Sequence, residues 1–596
     1  MLVGPVFSRE VTTTPRNWRL YGLRALYVGA LFSLAITAWL ILSGSQPVRG
    51  IGDLSRFGGT VFALIAPVQM ALGLAFSALL TAAAVAMEKD RRTLDLLLMT
   101  NMTNSELVLG RLLASVLSVL MLILASLPLL MLLTLLGGVS AAQVLRVTAV
   151  TLVAALAGGS LGSMLALWRE KTFQTLAMTA LVLGLWLLLG EAIASGVFGP
   201  DWWGVATDRW AAGLSPLRAV FAAVEPLHLG NQDRQLPYVC SEVNLFLIFG
   251  GLLMLALNAT AIAMVRVWNP SQEARPRSET RAQSEKSTDQ ALAAGVDIHA
   301  DSAKTREVWD NPILWREICT WAYGKKIILV RVAYLIVFAI CAAGLWSALQ
   351  AESYTSSGPF PSEARPLAPL MVLGLLLVNA LAVTSITNER DLRALDLLLV
   401  TDLSPKEIIL GKLVGVFYNA KEMILLPALL CGVLWYTGRL GTENLVFLLL
   451  GLLTLTSFTA MLGVHLGMSY PNSRTAVAAS LGTVLFLLLG IAVCMRMMLA
   501  FQTSFGSQFL AFTAFMFGGG VGLYTTLAYR NESKALAIAC LTSPFATFFI
   551  MTSFLQANFG AAMMVTLLTY GFATAAMLIP AIDEFDIATG RATAQD

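Results

Sequence analysis

Long apolar stretches separated by short polar ones dominate the chain. They fall near residues 23–43, 60–87, 110–136, 147–168, 173–190 and 242–265, and again near 328–349, 367–387, 411–437, 443–469 and 475–495, with three more at 509–528, 535–556 and 558–582. Most reach the length of about 18 residues at which an apolar run predicts a membrane-spanning helix. Between the two series lies a polar stretch from Arg266 to about Asp310, rich in Ser, Gln, Glu, Arg and Pro. It cannot bury enough apolar area to fold alone and reads as a linker. The runs 509–528 and 535–556 admit two readings. Arg530 and Lys534 between them suit a turn joining two spans. Ser543-Pro544-Phe545 echoes Ser215-Pro216-Leu217, which sits in a stretch too polar to span, and that echo suits a partly inserted hairpin. The expectation is an all-α polytopic membrane protein with 12 to 14 spans.

The two series repeat one another. Glu88-Lys-Asp-Arg-Arg-Thr-Leu-Asp-Leu-Leu-Leu-Met-Thr100 returns as Glu389-Arg-Asp-Leu-Arg-Ala-Leu-Asp-Leu-Leu-Leu-Val-Thr401. The match runs on through Glu106, Gly110 and Arg111 to Glu407, Gly411 and Lys412, so that half of the 24 positions from 88 to 111 are identical at an offset of 301. Pro5-Val-Phe-Ser-Arg9-Glu10 matches Pro312-Ile-Leu-Trp-Arg316-Glu317. Arg24, Tyr27 and Trp39 match Arg331, Tyr334 and Trp346, and Leu187-Leu-Leu-Gly190 matches Leu487-Leu-Leu-Gly490. Internal repeats of this kind set the architecture. They divide the chain into a first half (1–265, about six spans), a linker (266–310) and a second half (311–596, six to eight spans).

Charge then orients the spans. With the N-terminus placed in the cytoplasm, the loops on that side hold 27 lysines and arginines and the opposite loops 9. The excess marks the cytoplasmic face, so both repeated segments, the linker and the two termini are expected there. Six spans bring the first half back to that side, which makes the two halves parallel repeats about an axis along the membrane normal. The basic N-terminal segment leads into a run long enough to remain as an anchor, and no small-residue cleavage site follows it.

Composition agrees and excludes much else. The chain is 57% hydrophobic and 13% charged, where soluble chains carry about 25% charge. A net charge of +3 is too small to recruit nucleic acid. The six cysteines form no CxxC pair, and the histidines at 228, 298 and 465 are scattered, so no metal centre or disulfide framework is indicated. His465, alone in a fourth span, reads as a packed side chain. Pro128 and Pro427 are expected to kink the two third spans. Trp202, Trp203 and Trp210 suit an interfacial belt.

The repeated segment has a readable local structure. Leu94, Leu97 and Leu98 fall at i, i+3 and i+4, as do Leu395, Leu398 and Leu399, which makes one apolar helical face. Thr103-x-x-Glu106 and Ser404-x-x-Glu407 are capping boxes, and Pro405 stands at the favoured first helical position. A short amphipathic helix should therefore end near Thr100 and Thr401, with a new helix entering the membrane two or three residues later.

This arrangement resembles the ABC-2-type permeases, the membrane subunits of many ATP-binding cassette exporters. The shared pattern is an acidic residue after the second span, a basic position, a Leu-acidic-x-Leu-Leu core, a Thr, and a Gly-basic pair before the third span. Here it is Glu88, Arg92, Leu94-Asp95, Leu97-Leu98, Thr100 and Gly110-Arg111. The second copy is Glu389, Arg393, Leu395-Asp396, Leu398-Leu399, Thr401 and Gly411-Lys412. The chain departs from the family where Arg92-Thr93 and Arg393-Ala394 replace Gly-Thr, and Asp95 and Asp396 replace Glu. The resemblance spans about 4–190 and 311–490. It implies an exporter in the bacterial inner (plasma) membrane, of unknown substrate, whose loop helices dock on a separate ATPase subunit, two copies per chain. Glu88, Arg92, Asp95, Glu389, Arg393 and Asp396 would then touch the ATPase, while Leu97, Leu98, Leu398 and Leu399 anchor to the spans.

The chain carries no phosphate-binding loop, because Leu413 follows Gly411-Lys412 and no glycine stands at 406. No enzyme activity or cofactor is expected in this chain, and ATP would be bound by the partner. Lys421 and Glu422 lie inside the third span of the second half, where the first half has Leu120 and Met121. Intramembrane charges are costly and usually functional. They would line a pathway or gate, or pair with a neighbouring helix. A secondary transporter would normally show several mid-span carboxylates, and only Glu422 qualifies. A non-transporting assembly or signalling subunit is the remaining alternative.

Overall fold

The structure is a computed structural model that describes residues 5–13, 18–45, 50–91, 93–169, 171–194, 201–202, 205–226, 241–269, 309–319, 327–350, 365–392, 394–500, 505–529, 533–583 and 585. Lipid offers backbone groups no hydrogen-bond partner, so apolar segments must satisfy their own as helices. The first series comprises α1 (Pro5–Thr13), α2 (Trp18–Ser45), α3 (Ile51–Asp90), α4 (Thr93–Leu98), α5 (Asn104–Leu135), α6 (Ala141–Trp168) and α7 (Thr172–Ala194). Two short helices, α8 (Thr207–Leu214) and α9 (Pro216–Val224), precede α10 (Glu242–Trp268). The second comprises α11 (Pro312–Cys319), α12 (Ile327–Gln350), α13 (Leu367–Asp391), α14 (Ala394–Leu399), α15 (Pro405–Asn419), α16 (Lys421–Tyr436), α17 (Thr442–Ser469) and α18 (Ser473–Ala500). It ends with α19 (Phe505–Leu527), α20 (Lys534–Leu555) and α21 (Phe559–Asp583). The chain is an all-α polytopic membrane protein. Among the described residues 13 helices are long and apolar enough to cross a membrane, or 14 if the bent pair α15–α16 counts as one more span.

The second spans form the hub. In α3 and α13 respectively 72% and 78% of the most apolar window is enclosed by protein, against 28% for each first span, α2 and α12. Each second span packs closely on the fourth span of its own series, α3 on α6 and α13 on α17. Glycine permits that approach. A Cβ on Gly162 would collide with the Ala78 carbonyl, and one on Gly463 would lie 2.9 Å from the Asn379 carbonyl and 2.7 Å from Ala382 Cβ. These are the same two positions of the repeat, since 463 and 379 are 162 and 78 plus 301. Close helix contacts of this kind are how bundles cohere where lipid is as apolar as the core. The last span of each series, α10 or α21, also packs on its own fourth span. The two series join crosswise, with α7 against α13 and α18 against α3.

The second series has two extra helices. α19 and α20 stand ahead of the last span, and each is long and apolar enough to cross a membrane, as the two-span reading requires. The Ser-Pro echo also dissolves, because Ser215 is the N-cap residue of α9 whereas Pro544 lies inside α20.

The third spans differ. α5 is one helix with Pro128 inside it, but its counterpart bends by 53° at Ala420, seven residues before the expected kink at Pro427. Proline lacks an N–H, which leaves the carbonyl four residues earlier without its helical donor. For Pro427 that carbonyl belongs to Met423, and the buried Tyr334 hydroxyl donates to it at 3.3 Å. The helix therefore runs through Pro427. At the actual break the Asn419 amide donates to the Gly415 carbonyl and, at 3.2 Å, to the Glu317 carbonyl.

Filling the glycine contact tests this packing. Gly463→Leu should lower stability by about 1–3 kcal/mol, the usual range for overpacking, whereas Gly251→Leu, where a Cβ meets nothing within 4 Å, should be near neutral. Thermal unfolding of the purified protein in detergent reads the difference, and equal melting temperatures would contradict the close approach.

Candidate functional site: paired loops at one end of the bundle

Both repeated segments form a helix, a break and a second helix. α4 and α14 end before Met99 and Val400, and the next helices begin at Asn104 and Pro405. Both capping boxes are complete. The Thr103 hydroxyl accepts from the Glu106 N–H while the Glu106 carboxylate accepts from the Thr103 N–H at 3.0 Å. Ser404 and Glu407 do the same at 2.9 Å.

Leucine spacing fixes α4 to the bundle. Leu94 and Leu98 are buried and Leu97 half-buried in a cluster with Val85, Leu107, Leu167 and Val265, so α4 touches the second, third, fourth and last spans. Leu395 is buried likewise and Leu398 half-buried. Outward, Asp95 is exposed, and Leu96 and Met99 are 66% and 76% exposed; Val400, the counterpart of Met99, is 82% exposed. Arg92 and Arg393, and the side chains of Asp396 and Leu399, lie outside the described residues.

The acidic residue that opens each loop turns inward. Glu88 pairs with Arg111, and Glu389 pairs with Lys412 at 2.5 Å and with Arg316. Arg111 and Lys412 are the basic members of the two Gly-basic pairs, so one acid–base tie closes each loop from the end of the second span to the start of the third. Both partners stand in the repeated motif, but their pairing appears only when the segment is read as a hairpin. In the second copy the tie goes deeper. Lys412 and Glu317 are each 2% exposed at the side chain and meet at 2.5 Å, which docks the entry helix α11 on α15. Asn311 adds a hydrogen bond to the Glu407 carbonyl at 3.0 Å.

The next residue of each loop caps another helix. Lys89 donates to the Leu167 carbonyl at 2.9 Å, and Arg390 donates to the Met468 carbonyl at 3.0 Å, the same position of the repeat. A cation at a helix C-terminus satisfies orphan carbonyls and faces the negative end of the helix dipole. Across the midline, Arg91 and Asp391 form an ion pair of 2.9 Å that ties one loop to the other. The repeat position of Arg91 is Leu392, so this tie has no symmetric twin. Asp90, the repeat partner of Asp391, instead accepts from Thr172 at 2.5 Å.

The other sequence candidates sit elsewhere. Glu422 pairs with Arg331 of the first span at 3.5 Å, whereas exposed Lys421 lies over the Tyr418 ring at 4.5 Å. The two charges do not serve each other, and Glu422 ties the broken third span to α12. Buried His465 bonds through Nε2 to the Leu527 carbonyl at 2.9 Å, which fastens α19 to α17. Trp210 packs on Phe249, while Trp203 and the side chain of Trp202 lie outside the described residues.

Set against protein-family models, curated proteins and solved structures, the chain finds no match in any of the three.

Unequal burial of the two ties has a measurable consequence. Lys412→Met would leave two carboxylates facing each other in an enclosed site, at a cost of about 3–5 kcal/mol. Arg111→Met breaks a partly exposed pair, 18% and 28% at the side chains, and should cost about 1 kcal/mol. Thermal unfolding of the two variants should separate them clearly; equal losses would mean that the ties are equivalent.

Proposed function

We propose that the chain is the permease of an ATP-binding cassette exporter, with two ABC-2-like halves fused and a separate ATPase subunit bound at each loop. The observation that carries this reading is the two-sidedness of the loop helices. The first is held inward by buried Leu94 and Leu98 and the second by buried Leu395, each with an acid–base tie, and each ends in an exposed apolar residue, Met99 or Val400, at the same repeat position. A single exposed apolar residue is ordinary; its recurrence at one repeat position on both loops is what supports a covering partner. The repetition of both features supports two equivalent docking points.

On this reading the division of labour differs from that which the family resemblance implies. Glu88 and Glu389 hold the loops to the spans, and Asp95, Leu96, Met99 and Val400 meet the ATPase. Closing of the two ATPase copies would press on both loops and shift the two halves along their crosswise seam, where α3 meets α18 and α13 meets α7. Substrate would pass along that seam. On this reading the protein sits in a bacterial inner membrane, with both loops on the cytoplasmic side that the lysine and arginine excess supports.

Purification of the chain with the ATPase encoded beside it tests the proposal. Two ATPase copies per chain are expected. Met99→Asp or Val400→Asp alone should lose one copy, and the double variant should lose both together with ATP-dependent transport, while the membrane fraction keeps a normally folded chain. A complex of one ATPase per chain, or full binding by the double variant, would overturn it.

A further inference from the structure

The carboxylate that crosses the midline has a rival partner within its own half. Asp391 ends α13 and pairs with Arg91 of the first loop at 2.9 Å. Its repeat counterpart, Asp90, ends α3 and accepts from the hydroxyl of Thr172, the first residue of α7, at 2.5 Å. The offset of 301 carries Thr172 to Ser473, the first residue of α18. Both helices start with the same backbone geometry. The Thr175 N–H donates to the Lys171 carbonyl at 3.1 Å, and the Ala476 N–H to the Asn472 carbonyl at 2.9 Å. α13 packs on α18 as α3 packs on α7. Yet the Ser473 hydroxyl is buried with no hydrogen-bond partner among the described residues, in a side chain that belongs to a residue only 1% exposed. An enclosed hydroxyl without a partner is costly, and native structures leave few of them. The reason lies across the midline, where the carboxylate that the repeat would bring to Ser473 is engaged by Arg91.

The two members of the ion pair differ in what they lose on separation. The Arg91 side chain is 46% exposed, so water can take over its hydrogen bonds. The Asp391 side chain is 8% exposed, and a charge so enclosed is strongly destabilising when its partner leaves. Ser473 offers a place where it is answered again. A carboxylate at the start of α18 would also face the positive end of that helix dipole. One arrangement ties the second half to the first. The other closes the second half on itself, as Asp90 and Thr172 already close the first half. Two discrete, separately satisfied arrangements are what a bistable contact requires. The choice bears on the seam, because α18 is the helix of the second half that packs on α3.

We propose that Asp391 is a two-position latch between the halves. On Arg91, as in this structure, it holds the two loop ends together. On Ser473 it frees them to part, and the buried charge is never left without a partner. The latch belongs to the chain itself and its test needs no ATPase, so it stands or falls separately from the exporter reading.

The experiment is a double-mutant cycle on the melting temperature of the full purified chain in detergent. Arg91→Leu, which installs the residue found at the matching position of the second loop, should lower it only slightly, because Ser473 receives the carboxylate. Ser473→Ala removes an unused hydroxyl and should change it little. The two together should lose clearly more than the sum of the single losses, because Asp391 then has neither partner. Adding Asp391→Leu should recover that excess. Position is read separately, from the distance between spin labels on Met99→Cys and Val400→Cys in a chain whose native cysteines are replaced. Arg91→Leu should lengthen that distance, and Ser473→Ala alone should not. Additive losses, or a loss in Arg91→Leu alone as large as in the double variant, would overturn the proposal. So would an unchanged label distance in Arg91→Leu.

Discussion

A carboxylate at the end of a buried helix must find a cation, and in this protein that requirement shapes the loop end of the molecule. Glu88 and Glu389 terminate the two second spans, which are 72% and 78% enclosed over their most apolar windows and where an unpaired charge would be costly. Each is answered by the basic residue that opens the following span, Arg111 or Lys412. The pairing folds the segment between them into a tight hairpin. It also determines where the short helix lies, because Leu94 and Leu98 can then reach only the cluster formed by the second, third, fourth and last spans. The adjoining cations, Lys89 and Arg390, secure the ends of the fourth spans from the same helix turn. One turn of each second span thus organises the three neighbouring helix ends.

The halves share this device and differ around it. In the second half the pair is drawn into a network with Glu317 and Arg316, so the entry helix, the second span and the third span are locked together. The same half breaks its third span at Ala420 and fastens it sideways through Glu422 to Arg331. It also adds α19 and α20, with α19 held by His465 and Tyr470. In the first half the tie is partly exposed and the third span is continuous. The half with the buried network also carries the extra helices, and the cross-tie from Arg91 to Asp391 joins the first half to it.

The sequence made legible whatever depended on neighbours along the chain. The capping boxes at Thr103 and Ser404 and the leucine face of α4 are local signals, and each is present in the structure. Features that depended on distant partners were hidden. Pro427 looks like the kink of its span, but Tyr334, more than ninety residues earlier in sequence, supplies the donor that Pro427 lacks. Glu88 looks like an outward charge in a polar loop, yet its partner lies at the far end of that loop. The likeness of Ser543-Pro544 to Ser215-Pro216 misleads for the same reason, because a proline dipeptide opens a helix or sits within one according to what surrounds it.

The size of α4 bears on how the loops could work. A helix of six residues is far too short to hold itself together in water. It exists because its leucines are buried and its two ends are pinned, by the Glu88–Arg111 pair before it and the Thr103 capping box after it. A force applied at Met99 therefore meets no independent element that could yield first. To move, α4 must carry α3, α5, α6 and α10 with it or break the tie. The entry helices pack on the third spans, α1 on α5 and α11 on α15, so a displacement of either loop would move its entry helix as well. On the proposed reading this stiffness is what makes the loops transmitters, because a softer attachment would absorb the motion of a partner locally before it reached the seam between the halves.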